Sequence, residues 1–280
     1  MTEFAFMSGL PRAGTTLLSV LIKQNPRLLL TEESSLADHM RNVHQSMGGK
    51  EDVMMGNNVS RHQELLRGML KAYYAQDDSS HVIDKCRHWA APYFIRLLNE
   101  ATGTRPRIII PVRPLAEVVT SILLHLRAHP MGNFVDRQML ADDFLPFWRK
   151  ELDDARVDYL LRPGAMLDMA MLGIDTALKG EADADFMLFT YDELVEDASL
   201  VLDRIHEFIG AEPFKYDLTE LSNTTQQKDA EVLGLPGFHD VRSEISRTSV
   251  SPENVLSDYA LERCSTEDFW TVVVDEYAGT

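Results

Sequence analysis

The stretch Gly9-Leu10-Pro11-Arg12-Ala13-Gly14-Thr15-Thr16 constrains the fold of this chain more than any other. An apolar run, Phe4-Ala5-Phe6-Met7, precedes it, and a helical pattern, Leu17-Leu18-Ser19-Val20-Leu21-Ile22, follows it. Strand, glycine-bounded loop and helix in that order are the layout of a phosphate-cradling P-loop. The flanking elements give the motif its weight, because a chance glycine pair means little in a chain with 15 glycines. A nest of N–H donors and the positive end of a helix both favour an anion there. The spacing is that of G-x-x-x-x-G-K-[ST], with Thr15 in place of the lysine. That lysine reaches the β- and γ-phosphates of a nucleoside triphosphate. Without it the loop offers the backbone amides of Ala13, Gly14, Thr15 and Thr16, two hydroxyls and the Arg12 guanidinium. Such a set suits a less highly charged terminal group, such as one phosphate carrying a sulfuryl.

The rest of the pattern places this loop in an α/β fold. Apolar, β-rich runs at residues 3–8, 81–84, 107–112 and 186–190 predict strands. Helical patterns lie at about 14–25, 33–46, 60–76, 90–101, 114–128, 141–161 and 165–179. Alternation of this kind predicts a three-layer P-loop fold, a central mainly parallel sheet flanked by helices. Ile108-Ile109-Ile110 is continuously apolar, as a strand buried on both faces should be. Ligands in such folds sit outside the carboxyl ends of the strands. A length of 280 residues fits one domain spanning residues 1–280. Residues 44–60, rich in Gly, Asn and Met, read equally as a lid or as an ordinary surface loop, and residues 222–252 as a long polar loop. Met166, Met169 and Met171 read as helix core.

Net charge is −17, which argues against nucleic acid or an anionic membrane as partner. No apolar stretch approaches the ~20 residues of a spanning helix. Cys86 and Cys264 form no metal or redox pattern and read as structural cysteines. A reducing cytoplasm is the expected setting.

Against that acidic background the cations at strand ends stand out. Arg113 closes the strand at 107–112, and Ser121 lies two turns into the next helix. Alone, they read as an arginine capping a strand and an unrelated serine. Beside a lysine-free P-loop they read as a second phosphate site, because arginine can clamp phosphate bidentately and serine adds one bond. That marks a nucleotide phosphorylated at two separated positions. Lys85 ends the strand at 81–84 and can neutralise charge on a transferring group. After the P-loop helix comes Thr31-Glu32-Glu33-Ser34, read as a helix start capped by Thr31, with a carboxylate free to take a proton. His88 is the alternative base. No clear Walker B carboxylate exists, and only Ile83-Asp84 comes close.

These elements resemble the sulfotransferases that use 3′-phosphoadenosine 5′-phosphosulfate (PAPS), most of all the tyrosylprotein sulfotransferases and their bacterial relatives. Pro11-Arg12-Ala13-Gly14-Thr15-Thr16-Leu17 looks like that family's 5′-phosphosulfate loop, and Arg113 with Ser121 like its 3′-phosphate site. The resemblance implies Glu33 as catalytic base, with Arg12 and Lys85 stabilising the sulfuryl charge. It implies PAPS as co-substrate, no required metal, and a small-molecule or tyrosyl hydroxyl as acceptor. The segments at about 33–76 and 130–180 would shape the acceptor site. Phe189-Thr190-Tyr191-Asp192-Glu193-Leu194 is similar to a segment common in the superfamily. The family's C-terminal cofactor loop carries a serine and a lysine; here Arg242 or Arg247 would take the lysine's contact. His125 stands where relatives can have an arginine. Two other readings stay open: a P-loop kinase for a small molecule or nucleoside, which needs a triphosphate with Mg²⁺, and a nucleotide-binding module without chemistry.

Overall fold

The structure, a computed structural model, describes residues 2–48, 59–130, 132–144, 152–219, 221, 228–247 and 250–271. Five strands form its sheet: β1 Glu3–Met7, β2 Leu28–Leu30, β3 His81–Lys85, β4 Arg107–Val112 and β5 Asp185–Thr190. Their order is β2-β3-β1-β4-β5, and every pairing is parallel. The register sets Met7 opposite both Lys85 and Ile109, so the chain leaves β1 between the ends of β3 and β4.

Period-two alternation sorts the strand residues between two layers. Phe6, Val82, Ile108 and Ile110 enter one core cluster, while Ala5, Met7, Ile83, Ile109 and Phe189 enter the other. The second face is covered by α1 (Thr15–Ile22), through Leu18 and Leu21, and by α10 (Ala198–Ile209), through Val201 and Ile205. Over the first face lie α2 (Leu36–Gly48), α3 (Val59–Tyr73), α4 (Pro92–Thr102), α5 (Leu115–Ala128), α6 (Phe134–Ala141), α7 (Leu152–Leu161) and α8 (Asp168–Lys179). Helices α9 (Tyr191–Glu196) and α11 (Asp258–Glu267) complete the set. The result is the α/β layering expected from the alternation.

Three local expectations change. Strand β2 was not anticipated: Leu28-Leu29-Leu30 is too short to show a period. Of the helix expected over 141–161, the structure shows its second half as α7, while residues 142–144 are not helical and residues 145–151 lie outside the described set; α6, ending at Ala141, was not expected. Asn133 caps α6 by accepting from the Asp136 amide, and buried Arg156 on α7 donates to Asp136 at 2.6 and 2.8 Å, clasping the two helices. Thr31 is not a helix cap. Its hydroxyl accepts from the Lys85 amide at 2.7 Å, while Ser34 Oγ accepts from Leu36 N at the start of α2. The segment 44–60, expected as a lid or a surface loop, is helix at both ends, and its residues 49–58 lie outside the described set, as do residues 220, 222–227 and 248–249 in and beside the long loop. Among the described residues, no helix is long and apolar enough to cross a membrane. Both cysteines are buried, and burial pushes each thiol pKa up to about 12.

Candidate functional site

The loop after β1 is built on two glycines whose positive φ and close neighbours disfavour any side chain. Gly9 has φ of +124°, and a Cβ there would meet the Pro111 carbonyl oxygen at 2.7 Å. Gly14 has φ of +91°, and a Cβ would lie 2.9 Å from Leu194 Cδ2. Arg12 between them is also left-handed, at φ +66°. Helix α1 then starts with no side-chain cap. Leu18 N reaches Gly14 O, but no described residue accepts from the amides of Gly14, Thr15, Thr16 or Leu17. The Ala13 amide is spent on Leu10 O, so the free donors run one residue later than expected. Four orphan N–H groups at a helix start are an anion cradle.

Arg12 does not hang in solvent. Its Nε donates to Ser121 Oγ at 3.0 Å, its Nη1 donates to the Phe238 carbonyl, and its guanidinium lies 4.9 Å from the Phe238 ring centre. Burial, then the neighbouring Arg113, lowers its pKa. Arg113 is buried behind the loop and donates from Nη1 to Arg12 O at 2.9 Å. Its Nε and Nη2 each meet Glu117 Oε2 at 3.0 Å, and its plane lies 4.2 Å from the Tyr191 ring centre. Tyr191 and Leu194 also pack on Gly14. The Thr190–Glu193 capping box therefore braces the Tyr191–Leu194 platform against which Gly14 and Arg113 pack. Arg247 joins the same group by bonding Glu117 Oε1 at 3.2 Å and Asp192 at 3.1 Å. Arg242 is exposed and makes no hydrogen bond or ion pair among the described residues.

In front of the loop is a cavity of about 810 Å³, lined among others by Arg12, Thr15, Thr16, Lys85, Glu33 and His88. Arg12, Lys85, the two threonine hydroxyls and Glu33 thus share one space, whereas Arg113, Ser121, Arg242 and Arg247 do not line it. Lys85 is buried and its ammonium has no hydrogen-bond or ion-pair partner among the described residues. Desolvation lowers its pKa, partly offset by the fields of Glu33 and Glu32. Glu33 is half exposed and touches Arg87 at 3.5 Å, whereas Glu32 turns away to Lys23 at 3.3 Å. The pair of acids is therefore split, and only Glu33 lines the cavity. His88 also lines it, stacked on Phe94 with its Nδ1 buried and unbonded. Burial lowers its pKa.

Sequence reasoning missed a His–Asp pair whose histidine, His239, lines the same cavity. His239 Nδ1 lies 2.6 Å from Asp229 Oδ1, and His239 N donates to Asp229 Oδ2 at 2.7 Å. Nothing in a ten-residue spacing through an irregular loop signals such a contact. The opposite wall comes from α6 (Phe134, Gln138) and α7 (Tyr159), with Met166 and Met169 before and within α8. Met171 is core as expected, but Met166 and Met169 also face the cavity.

Asp84, the nearest thing to a Walker B acid, is fully buried. It accepts from Trp89 Nε1 at 2.7 Å and from the Tyr74 hydroxyl, and burial raises its pKa. A carboxylate so occupied by the core is not placed to serve a bound triphosphate.

The sulfotransferase domain family matches residues 3–251. No curated protein matches the chain. Among solved structures, mouse sulfotransferase SULT7A1 complexed with PAP is 13% identical, covering 95% of this chain and 83% of that one at a TM-score of 0.52. The sulfotransferase domain of the Synechococcus PCC 7002 olefin synthase is 17% identical, covering 95% and 94% at a TM-score of 0.47.

Proposed function

This chain belongs to the sulfotransferase domain family, and on that premise we propose that it moves a sulfuryl group from PAPS to an acceptor hydroxyl, with Glu33 as general base. The observation that carries the reading is the meeting of Glu33, Arg12 and Lys85 in one cavity at the mouth of an uncapped P-loop helix. The donor set fits PAPS: orphan amides and two threonine hydroxyls for the 5′-phosphate, then Arg113 and Ser121 for the 3′-phosphate, with Arg247 beside them. PAPS supplies an activated sulfuryl on a good leaving group.

Glu33 accepts the proton of the acceptor hydroxyl as the new oxygen–sulfur bond forms. Arg12 and Lys85 stabilise the sulfuryl oxygens and the bridging oxygen as its bond to sulfur breaks and adenosine 3′,5′-bisphosphate departs. Sulfuryl carries less charge than phosphoryl, so these side-chain cations suffice and the transfer requires no metal. The wall of α6, α7 and α8 mixes Gln138 and Tyr159 with Met166 and Met169, which suits a small-molecule or tyrosyl hydroxyl carried on an apolar body.

Incubation with ³⁵S-labelled PAPS and a panel of phenols, tyrosyl peptides, sugars and lipid alcohols tests this. Label should enter at least one acceptor class, and Glu33→Gln should abolish most of it. Transfer from γ-labelled ATP with Mg²⁺, and none from PAPS, would replace the reading with a kinase.

A further inference from the structure

Away from that cavity, three helices bring together a set of side chains that neither the reaction nor the core explains. His44 lies on α2, His62 on α3 and Glu100 on α4, and one ligand atom from each falls within 4.8 Å of the other two. The rings of His44 and His62 are 5.1 Å apart, and His62 Nε2 lies 3.8 Å from Glu100 Oε2, too far for a hydrogen bond. Both ring nitrogens of His62 are buried with no hydrogen-bond partner. A polar ring left so is costly unless something else satisfies it.

We propose that His44, His62 and Glu100 bind one divalent first-row transition ion of the zinc type. Two imidazoles and a carboxylate are a donor set for zinc and its neighbours, whereas Mg²⁺ and Ca²⁺ take oxygen ligands. The Tyr93 hydroxyl bonds His44 Nδ1 at 2.9 Å, which makes Nε2 the nitrogen that would ligate. A hydrogen-bonded far nitrogen of this kind orients many metal-binding histidines. Bonds of about 2.0–2.2 Å in a tetrahedron set the ligand atoms roughly 3.3–3.6 Å apart, so atoms now within 4.8 Å of one another need close by no more than about 1.5 Å, with water as fourth ligand. The ion would tie the end of α2 to the start of α3 and both to the last turn of α4. The site stands apart from the sulfuryl-transfer residues, so it does not depend on that reading.

The test uses the full chain without a polyhistidine tag, stripped with chelator and titrated with zinc chloride by calorimetry. Cobalt(II) absorption supplies the geometry. A single equivalent of zinc should bind, the thermal midpoint should rise, and cobalt should give the visible bands of a tetrahedral nitrogen–oxygen site. His44→Ala and His62→Ala should abolish binding, Glu100→Gln should weaken it, and Tyr93→Phe should cost about tenfold. His129→Ala should change nothing. Should the alanine variants unfold, Glu100→Gln and Tyr93→Phe, checked by circular dichroism, carry the test. No zinc uptake, or uptake unchanged in these variants, overturns the site and leaves His62 and Glu100 as an ordinary charge pair.

Discussion

Arg113 donates from Nη1 to the carbonyl oxygen of Arg12, 2.9 Å away and 101 positions earlier in the chain. The bond holds the backbone of a residue at φ +66°, a conformation non-glycine residues seldom adopt. With its carbonyl fixed, Arg12 turns its guanidinium to Ser121 at 3.0 Å. The two proposed phosphate sites are thus one hydrogen-bonded unit, and disturbing either should reach the other.

Arg113→Ala should therefore weaken adenosine 3′,5′-bisphosphate binding by about 1.5–3 kcal/mol, the worth of a hydrogen bond to a charged group. Adenosine 5′-phosphate should lose less, through the loosened Arg12. Calorimetry with both ligands measures this, and equal affinity of the wild type for the two would remove the 3′-phosphate role.

Glu117 occupies the Arg113 fork and also bonds Arg247. A 3′-phosphate must compete with that carboxylate. Glu117→Gln should tighten bisphosphate binding about tenfold, roughly 1.4 kcal/mol, while lowering the thermal midpoint of the unliganded protein. Weaker binding would mean that Glu117 positions Arg113 rather than competing for it.

Glu33→Gln should lower kcat by about 10²–10⁴-fold, the usual cost of losing a positioned base. Folding should be unaffected, since Glu33 is half exposed and its contact with Arg87 is a surface pair of small energy. Near-native turnover would shift the base to His88 or to His239.

Lys85 gives the pH dependence. Burial lowers its pKa, so it loses its charge at a lower pH than a free lysine does. Activity that needs the ammonium should fall as pH rises through that value, and Lys85→Arg, with any residual activity, should lack this alkaline limb. Glu33 raises the same pKa, so Glu33→Gln should move the limb to lower pH. For stability the sign is opposite. The unfolded lysine binds its proton more tightly, so stability rises with pH between the folded and unfolded values. Lys85→Met should raise the thermal midpoint by about 2–4 °C while abolishing turnover.

Gly9→Ala should destabilise the protein by about 1–3 kcal/mol, from a strained φ and a Cβ driven against Pro111 O. Urea unfolding reads this directly. An unchanged midpoint would show that the loop can relax.

The loop and layers were legible because they rest on local rules: glycine at positive φ, an apolar run for a buried strand, alternation for a parallel sheet. Strand β2 escaped because three leucines carry no period. The meeting of Lys85 and Glu33 depends on the β2–β3 register and on Thr31 bonding the Lys85 amide, which no spacing encodes; there the family resemblance supplied the expectation. Arg113, just before the Pro114 cap, reaches Glu117 in the first turn of α5, a contact four residues apart that the strand-to-helix junction sets. The choice between Arg242 and Arg247 lay in an aperiodic loop, and only folding sets Arg247 beside Glu117. The His239–Asp229 pair and the His44–His62–Glu100 cluster are tertiary contacts of the same unreadable kind.

The central claim is that the uncapped start of α1, with Arg12 in front and Arg113 behind, grips adenosine at both phosphorylated ends. A crystal structure with adenosine 3′,5′-bisphosphate tests it most directly. The 5′-phosphate should accept from the amides of residues 14–17, and the 3′-phosphate should lie against Arg113 and Ser121 with Glu117 displaced. A bisphosphate bound elsewhere, or with its 3′-phosphate in solvent, would contradict the account.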